Sequence, residues 1–313
     1  MNKIIIVAGP TAVGKTGCAI ELAETLKTEI VSADSMQIYK YMDIGTAKPS
    51  MEELSRVKHH MIDVANPLDD NYSVALYNQQ AEEAIRMLHE KGKIPIIAGG
   101  TGLYLSSILY EMDFSNAAYN PEYRNMLKKL SEEKGNAYLH NQLKSVDSDS
   151  ADIIHPNNVK RVIRALEVHH ATGSHIKKFS TDLNPTPKYD TLFLCLHRER
   201  TLLYDRINLR VEKMVEAGLI DEVVKLTEMG LTKNHMAMKG IGYKEVLEYL
   251  SGITDKEEMK YKIKLNSRHY AKRQLTWFRR YKEAVHIELE CSETSNTNKL
   301  LATTNKFIIN NTI

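Results

Sequence analysis

Gly9-Pro10-Thr11-Ala12-Val13-Gly14-Lys15-Thr16 fits the pattern Gly-x4-Gly-Lys-Ser/Thr. It follows the apolar run Lys3-Ile-Ile-Ile-Val-Ala8 and precedes Ala19, Leu22, Ala23 and Leu26 at helical spacing, so it reads as strand, loop, helix. Glycines let successive N–H groups and a helix N-terminus face one anion, Lys15 adds a mobile cation, and the Thr16 hydroxyl can reach a divalent ion. The eight residues therefore predict diphosphate or triphosphate binding and leave the ester itself open. No Asn-Lys-x-Asp segment for guanine occurs. The apolar strand at 94–98 ends in Gly99-Gly100-Thr101-Gly102 rather than a magnesium-linked Asp. Asp63 remains a substitute for that acid, which weakens kinase chemistry without removing it.

Outward from the loop, strands are expected at 29–33, 60–64 and 94–98, with a helix at 73–91. Strands alternating with helices imply a doubly wound parallel sheet. From about Tyr110 the strand signal stops. Tyr123, Met126, Leu127 and Leu130 fall at helical spacing, as do Val159, Val162, Ile163 and Leu166. A strand returns at 192–196, followed by helices at 199–217, 219–229, 243–250 and 256–281. The fold class read here is α/β: a parallel-sheet core of the P-loop NTPase kind, with an inserted all-helical domain and C-terminal helices. Its expected parts are 1–112 for the first half of the core, 113–188 for the insertion, and 189–290 for the rest of the core. A weakly ordered Ser/Thr/Asn-rich tail is expected at 291–313.

A chain of 313 residues with 42% hydrophobic and 26% charged residues is neither collagen, coiled-coil rod nor wholly disordered. Cys18, Cys195 and Cys291 lie far apart and make no zinc-ligand spacing, so reduced thiols are expected. The apolar stretch at 4–8 is too short for a signal segment and no run approaches a membrane span, which predicts a cytoplasmic protein.

The strand at 29–33 runs into Asp34, whose carboxylate should emerge at the carboxyl edge of the sheet beside the phosphate loop. Magnesium ligand and general base are the two chemical readings, and a turn-forming role is the plain one. Thr101 should face the same cleft from the fourth strand. The net charge of +2 hides sorting: residues 256–282 hold ten Lys/Arg against two acids, a local charge of +8, interleaved with Tyr261, Tyr270, Trp277, Phe278 and Tyr281. Lys160, Arg161 and Arg164 form a second basic face, and Arg206, Arg210 and Lys213 a third. Three such stripes favour a polyanion, with RNA loops ahead of duplex DNA; a solvated helix face over core aromatics is the alternative.

Further segments accompany these: Asp34-Ser-Met-Gln-Ile-Tyr39, Asp43-Ile-Gly-Thr-Ala-Lys-Pro49, Gly99-Gly-Thr-Gly-Leu-Tyr104, His155-Pro-Asn157 with Arg164-Ala-Leu-Glu167, Gly240-Ile-Gly-Tyr243 and Lys272-Arg-Gln-Leu-Thr-Trp-Phe-Arg279. Together with the phosphate loop and in this order, they resemble the bacterial tRNA dimethylallyltransferase (tRNA isopentenyltransferase) family from residue 3 to about 283. The resemblance implies transfer of a dimethylallyl group from dimethylallyl diphosphate to the exocyclic amine of the adenine 3′ of a tRNA anticodon (position 37). It also implies Mg²⁺ as cofactor and a monomer without membrane contact.

By matching positions, Asp34 would be the general base, Thr101 would contact the departing oxygen, and Arg210 would bind the diphosphate with the phosphate loop. Thr16 would serve the metal. The tRNA anticodon stem-loop would meet Asp34, Ser35, Met36, Gln37, Thr101, Arg124, Lys160, Arg161, Val162, Ile163, Arg164, Lys239, Gly240, Ile241, Gly242, Tyr243, Lys244, Lys272, Arg273, Gln274 and Trp277. A P-loop small-molecule or nucleoside kinase is the second reading; it leaves the basic C-terminal helix without a role. A non-catalytic RNA-binding protein is the third, and it leaves Lys15, Thr16 and Asp34 jointly unexplained.

Overall fold

Ile4, Ile5, Ile6, Val7 and Ala8 have no exposed surface at all, which a strand achieves only when helices cover both faces of its sheet. The computed structural model describes residues 2–112, 120–173, 186, 188–290 and 293–309. In chain order it contains β1 (Asn2–Ala8), α1 (Lys15–Thr25), β2 (Ile30–Ser32), α2 (Met51–Arg56), β3 (His59–His60), α3 (Val74–Glu90), β4 (Ile96–Gly99) and α4 (Gly102–Leu109). There follow α5 (Pro121–Lys134), α6 (Asn136–Val146), α7 (Ser148–Ile153) and α8 (Val159–Thr172). The chain then returns through β5 (Tyr189–His197), α9 (Arg200–Glu216), α10 (Leu219–Glu228), α11 (Tyr243–Leu250), α12 (Lys256–Phe278), β6 (Val285–Glu288) and α13 (Glu293–Ile309).

The six strands form one parallel sheet in the order β3-β2-β4-β1-β5-β6. Ile5 and Val7 pair in register with Leu192 and Leu194, and all four join the cluster that contains Ala19, Ile20, Leu22 and Ala23 of α1. The alternate side of β5 carries Phe193, which stacks on Tyr281 at 4.5 Å between ring centroids and lies near Phe278 at the end of α12. β1 thus sits in the interior of the sheet, and its carboxyl end delivers the phosphate loop to the crevice where open α/β sheets bind ligands.

Two compact units are present: Met1–Leu109 with Thr186–Ile313, and Tyr110–Pro185. The second is a helical unit with its own core of Leu127, Leu139, Leu143, Val162, Ile163, Ala165 and Leu166. The boundary read from sequence at 113 falls outside the described residues. No helix among the described residues is long and apolar enough to cross a membrane. Neither Cys18 nor Cys195 is part of a disulfide, and burial pushes the Cys195 thiol up to about 11; Cys291 lies outside the described residues.

Two expectations change and one strand is added. The strand expected at 60–64 is only His59–His60, because Met61 and Asp63 take φ of +65° and +56°, left-handed values that no strand can continue. The added strand is β6, whose four residues pair with Leu194–His197 of β5 at the sheet edge. The tail expected to be weakly ordered contains α13: Leu300 and Thr304 are buried, Leu301 and Phe307 pack on the core, and Lys3 Nζ donates to the carbonyls of Phe307 and Ile308 at 3.0 and 2.7 Å. Its Ser/Thr/Asn composition lowers helix propensity, and tertiary burial overrides it.

Candidate active site

The phosphate loop is braced from outside. Arg198 Nε donates to Val13 O at 2.8 Å and Arg206 Nε to Ala12 O at 2.9 Å. Across a planar trans peptide the carbonyl and the next N–H point opposite ways, so holding Val13 O turns the Gly14 N–H to the other side. Gly14 caps α1 at φ +111°, and the first bond along the helix runs from Cys18 N–H to Gly14 O at 3.3 Å. The N–H groups ahead of it have no partner within the helix and carry its positive end. Lys15 Nζ rests on Pro10 O at 2.9 Å. Burial pulls its pKa down to about 8, with Asp34 pulling it back up and Arg210 pushing it further down. Burial also lowers Arg210, against the pull of Asp34. Two cations short of counter-charge at a helix N-terminus make a strong seat for a polyanion.

Two cavities in this unit share Arg210 and Met214. The larger, about 740 Å³, is walled by Lys15, Thr16, Arg206, Arg210 and Lys213, with Asp43 and Asp63 also in its lining. The stripe Arg206–Arg210–Lys213 lines the phosphate-side cavity, with Arg206 and Lys213 exposed and Arg210 half-buried. The smaller cavity, about 290 Å³, contains Asp34, Ser35, Arg210, Lys239, Tyr270 and Arg273. Asp34 Oδ1 accepts from the N–H groups of Met36 (2.9 Å) and Gln37 (3.4 Å), so the turn-forming role is real. It uses one oxygen; Oδ2 takes no part in the turn. Thr101 Oγ1 accepts from Ser35 N–H at 2.9 Å and approaches Ser35 Oγ at 3.2 Å, tying the two strand ends together.

The residues expected to face RNA divide into an exposed and a buried group. In the helical unit Lys160, Arg161 and Arg164 are exposed, while Val162 and Ile163 are buried in its core. Arg124 grips the buried Glu167 with both ends of its guanidinium, at 2.5 Å each. In the other unit Lys239, Lys244, Lys272 and Arg273 are exposed. Tyr243 and Gln274 are not: Tyr243 is fully buried, and Gln274 accepts from Thr11 N–H at 2.8 Å while donating to Gly100 O at 2.9 Å. A Cβ at Gly100 would fall 2.3 Å from Gln274 Nε2, and one at Gly102 would fall 2.2 Å from the Trp277 ring. The Gly-Gly-Thr-Gly turn is thus a seat for α12. Gly240 and Gly242 are buried and Ile241 is half-buried, so these three supply backbone shape rather than a free face. Gln37 directs its amide inward, accepting from Ser32 Oγ at 3.2 Å.

The basic run on α12 is also divided. Lys260 and Lys264 both bind Glu212, and Lys262 binds Glu248 at 3.0 Å and Glu258 at 3.4 Å. Charge open to a partner therefore concentrates toward the C-terminal end, at Lys272, Arg273, Arg279, Arg280 and Lys282. Of the five interleaved aromatics, Phe278 and Tyr281 are core, Tyr270 and Trp277 are half-buried, and Tyr261 is exposed.

Sequence reading gave no role to Arg198, to Glu222 or to the hydroxyl of Tyr270. Tyr270 lines the cavity of Asp34; burial and the Asp34 charge raise its pKa, against hydrogen bonding to Thr101 and Gln274, so it remains a donor at neutral pH. Its place in the aromatic-basic run of α12 was visible, but its neighbours were not.

A family model described as IPP transferase matches residues 37–281. A tRNA dimethylallyltransferase of Alkaliphilus oremlandii is 53% identical over 285 residues, covering 91% of this chain and 90% of the relative. The crystal structure of the full-length tRNA isopentenylpyrophosphate transferase of Bacillus halodurans has a TM-score of 0.73 at 39% identity, covering 98% of this chain and 97% of that one. A eukaryotic dimethylallyltransferase described as acting on tRNA has a TM-score of 0.85 at 30% identity, covering 100% of this chain and 81% of that one. On this match over residues 37–281 and these identities over most of the chain, the chain belongs to the IPP transferase family of tRNA dimethylallyltransferases.

Proposed function

We propose that the chain transfers a dimethylallyl group from dimethylallyl diphosphate to N6 of the adenine at position 37 of tRNA, releasing diphosphate. The observation that carries the reading is the place of Arg210, which lines both a cationic cavity built on a phosphate loop and a smaller cavity holding a carboxylate with one oxygen outside its turn. Lys15, Arg210 and the helix N-terminus hold the diphosphate and stabilise its charge as the C1–O bond breaks. The adenine amine is a poor nucleophile because its lone pair is delocalised. Asp34 Oδ2 accepts the proton that N6 loses as the N6–C1 bond forms, and Thr101 with Tyr270 supplies hydroxyl groups beside it.

The donor set suits Mg²⁺. Mg²⁺ characteristically keeps waters while binding one or two protein oxygens and substrate phosphates, and Thr16 lines the phosphate-side cavity beside Lys15. Thr16 would supply such an oxygen. When bound, the ion would neutralise charge on the leaving diphosphate.

Lys160, Arg161 and Arg164 in the helical unit, and Lys239, Lys244, Lys272 and Arg273 in the other, are the side chains we assign to the anticodon stem-loop backbone. Ser35, Met36 and Trp277 would meet the extruded base, whose unstacking costs a few kcal/mol that backbone contacts offset. The reading carries with it a cytoplasmic monomer. Its test is label transfer from dimethylallyl diphosphate to a stem-loop RNA with Mg²⁺ and no nucleotide. Label on adenine is the expected result; ATP-dependent phosphoryl transfer without prenyl transfer would replace this reading with the kinase.

A further inference from the structure

Glu222 of α10 places its carboxylate among three consecutive backbone N–H groups. Oε2 accepts from Asp43 (2.8 Å) and Ile44 (2.7 Å), and Oε1 from Gly45 (3.0 Å) and from the Tyr243 hydroxyl (2.8 Å). Successive N–H groups that converge in this way form an anion-binding nest, and here the anion is one of the protein's own side chains. Tyr243 seals it: the ring lies so close over Gly45 that a Cβ there would fall 2.4 Å from a ring carbon. Burial and the neighbouring carboxylate push the phenol well above its usual range, which keeps it a donor.

The pinned loop leads to the reacting groups. Thr46 and Ala47 follow it directly, and their carbonyls accept from Gln37 Nε2 at 3.4 and 3.1 Å. The Gln37 N–H in turn bonds Asp34 Oδ1 at 3.4 Å. The same loop lines both cavities, with Asp43, Ile44, Ala47 and Lys48 in the larger and Gly45 and Thr46 in the smaller. A shift of the loop therefore moves the turn that aims Asp34, while the phosphate loop keeps its own braces on Arg198 and Arg206.

We infer that Glu222 is a positioning residue for prenyl transfer, filling the nest of residues 43–45 and through Gln37 holding the Asp34 turn in its working geometry. This rests on the reaction proposed above. A role confined to packing would lower stability and activity together; a positioning role lowers turnover and leaves donor binding intact.

The experiment compares the full chain with Glu222→Gln and Glu222→Ala, measuring kcat with stem-loop RNA, KM for dimethylallyl diphosphate, and Tm. In Glu222→Gln the amide nitrogen faces N–H donors, and kcat should fall on the order of 10-fold to 10²-fold, the scale of a small misplacement of reacting groups. KM for the donor should stay within about threefold. Glu222→Ala empties the nest, which formate can enter, so added formate should restore its kcat severalfold and leave wild type unchanged. Wild-type turnover in both variants overturns the inference, as does a loss that follows Tm with no formate response. A wild-type chain that transfers no prenyl group overturns the reaction reading instead, and this inference with it.

Discussion

The phosphate loop and the loop at 43–45 lie beside the same cavity and are built in opposite ways. Both present consecutive backbone N–H groups. At Gly14 to Thr16 those groups open the N-terminus of α1, with no side-chain cap on Gly14; at Asp43 to Gly45 they are filled by Glu222. The first is a seat for a ligand and the second is a wall. A filled nest holds its shape without substrate, whereas an open one keeps its electrostatic strength for an arriving anion. Carboxylates at the two ends of β2 repeat the contrast. Glu29, just before the strand, accepts from Lys93 and His60 at 2.7 and 2.8 Å, while Asp34, just after it, keeps one oxygen out of its turn.

The contrast breaks most severely at the open nest. Lys15→Ala removes the mobile cation and should lower kcat/KM for dimethylallyl diphosphate on the order of 10³-fold with little change in Tm, as steady-state rates and calorimetry would register. Gln274→Ala attacks the tie between the phosphate loop and β4. It leaves Thr11 N–H and Gly100 O without their side-chain partner, and urea titration should record a loss of about 2–3 kcal/mol.

Glu29→Gln tests the saturated carboxylate. Burial alone would raise the Glu29 pKa, but hydrogen bonds from Lys93 and His60 outweigh it and hold the group at about 2. Because the folded value lies below the unfolded one, the stabilisation is present above about pH 4.5 and disappears as pH falls toward 2. At pH 7 the variant should be less stable by about 2 kcal/mol with kcat unchanged, and its deficit should shrink below pH 4.5.

The smallest effects belong to the surface. Lys272→Ala should reduce the salt slope of stem-loop binding by about one, while Lys264→Ala, whose partner is Glu212, should leave it nearly unchanged.

Which of these features could be read in advance follows from how local their causes are. β1, the phosphate loop and α1 occupy one continuous segment, so pattern and chemistry coincide. The burial of Val162 and Ile163 beside exposed Lys160, Arg161 and Arg164 likewise follows from helical periodicity. Glu222 lies 177 residues from Gly45, and its spacing from that loop carries no period. Gln274 and Tyr243 sit in segments whose resemblance suggested RNA contact, and only packing against Gly100 and Gly45 reveals their structural duties. The cancellation of Lys260, Lys262 and Lys264 needs Glu212 and Glu248 from other helices, so charge counted along α12 overstates its field. α13 escaped because burial, not propensity, makes it a helix.

The decisive measurement is the single-turnover rate of Asp34→Asn with saturating dimethylallyl diphosphate, taken beside its affinity for stem-loop RNA and its Tm. The amide oxygen can still accept from Met36 N–H, so the turn should survive. The expected rate is lower by on the order of 10²–10⁴-fold with RNA affinity and Tm retained. A wild-type rate, or a loss of rate that comes with loss of RNA binding and of Tm, would make Asp34 a turn residue and contradict its role as the base.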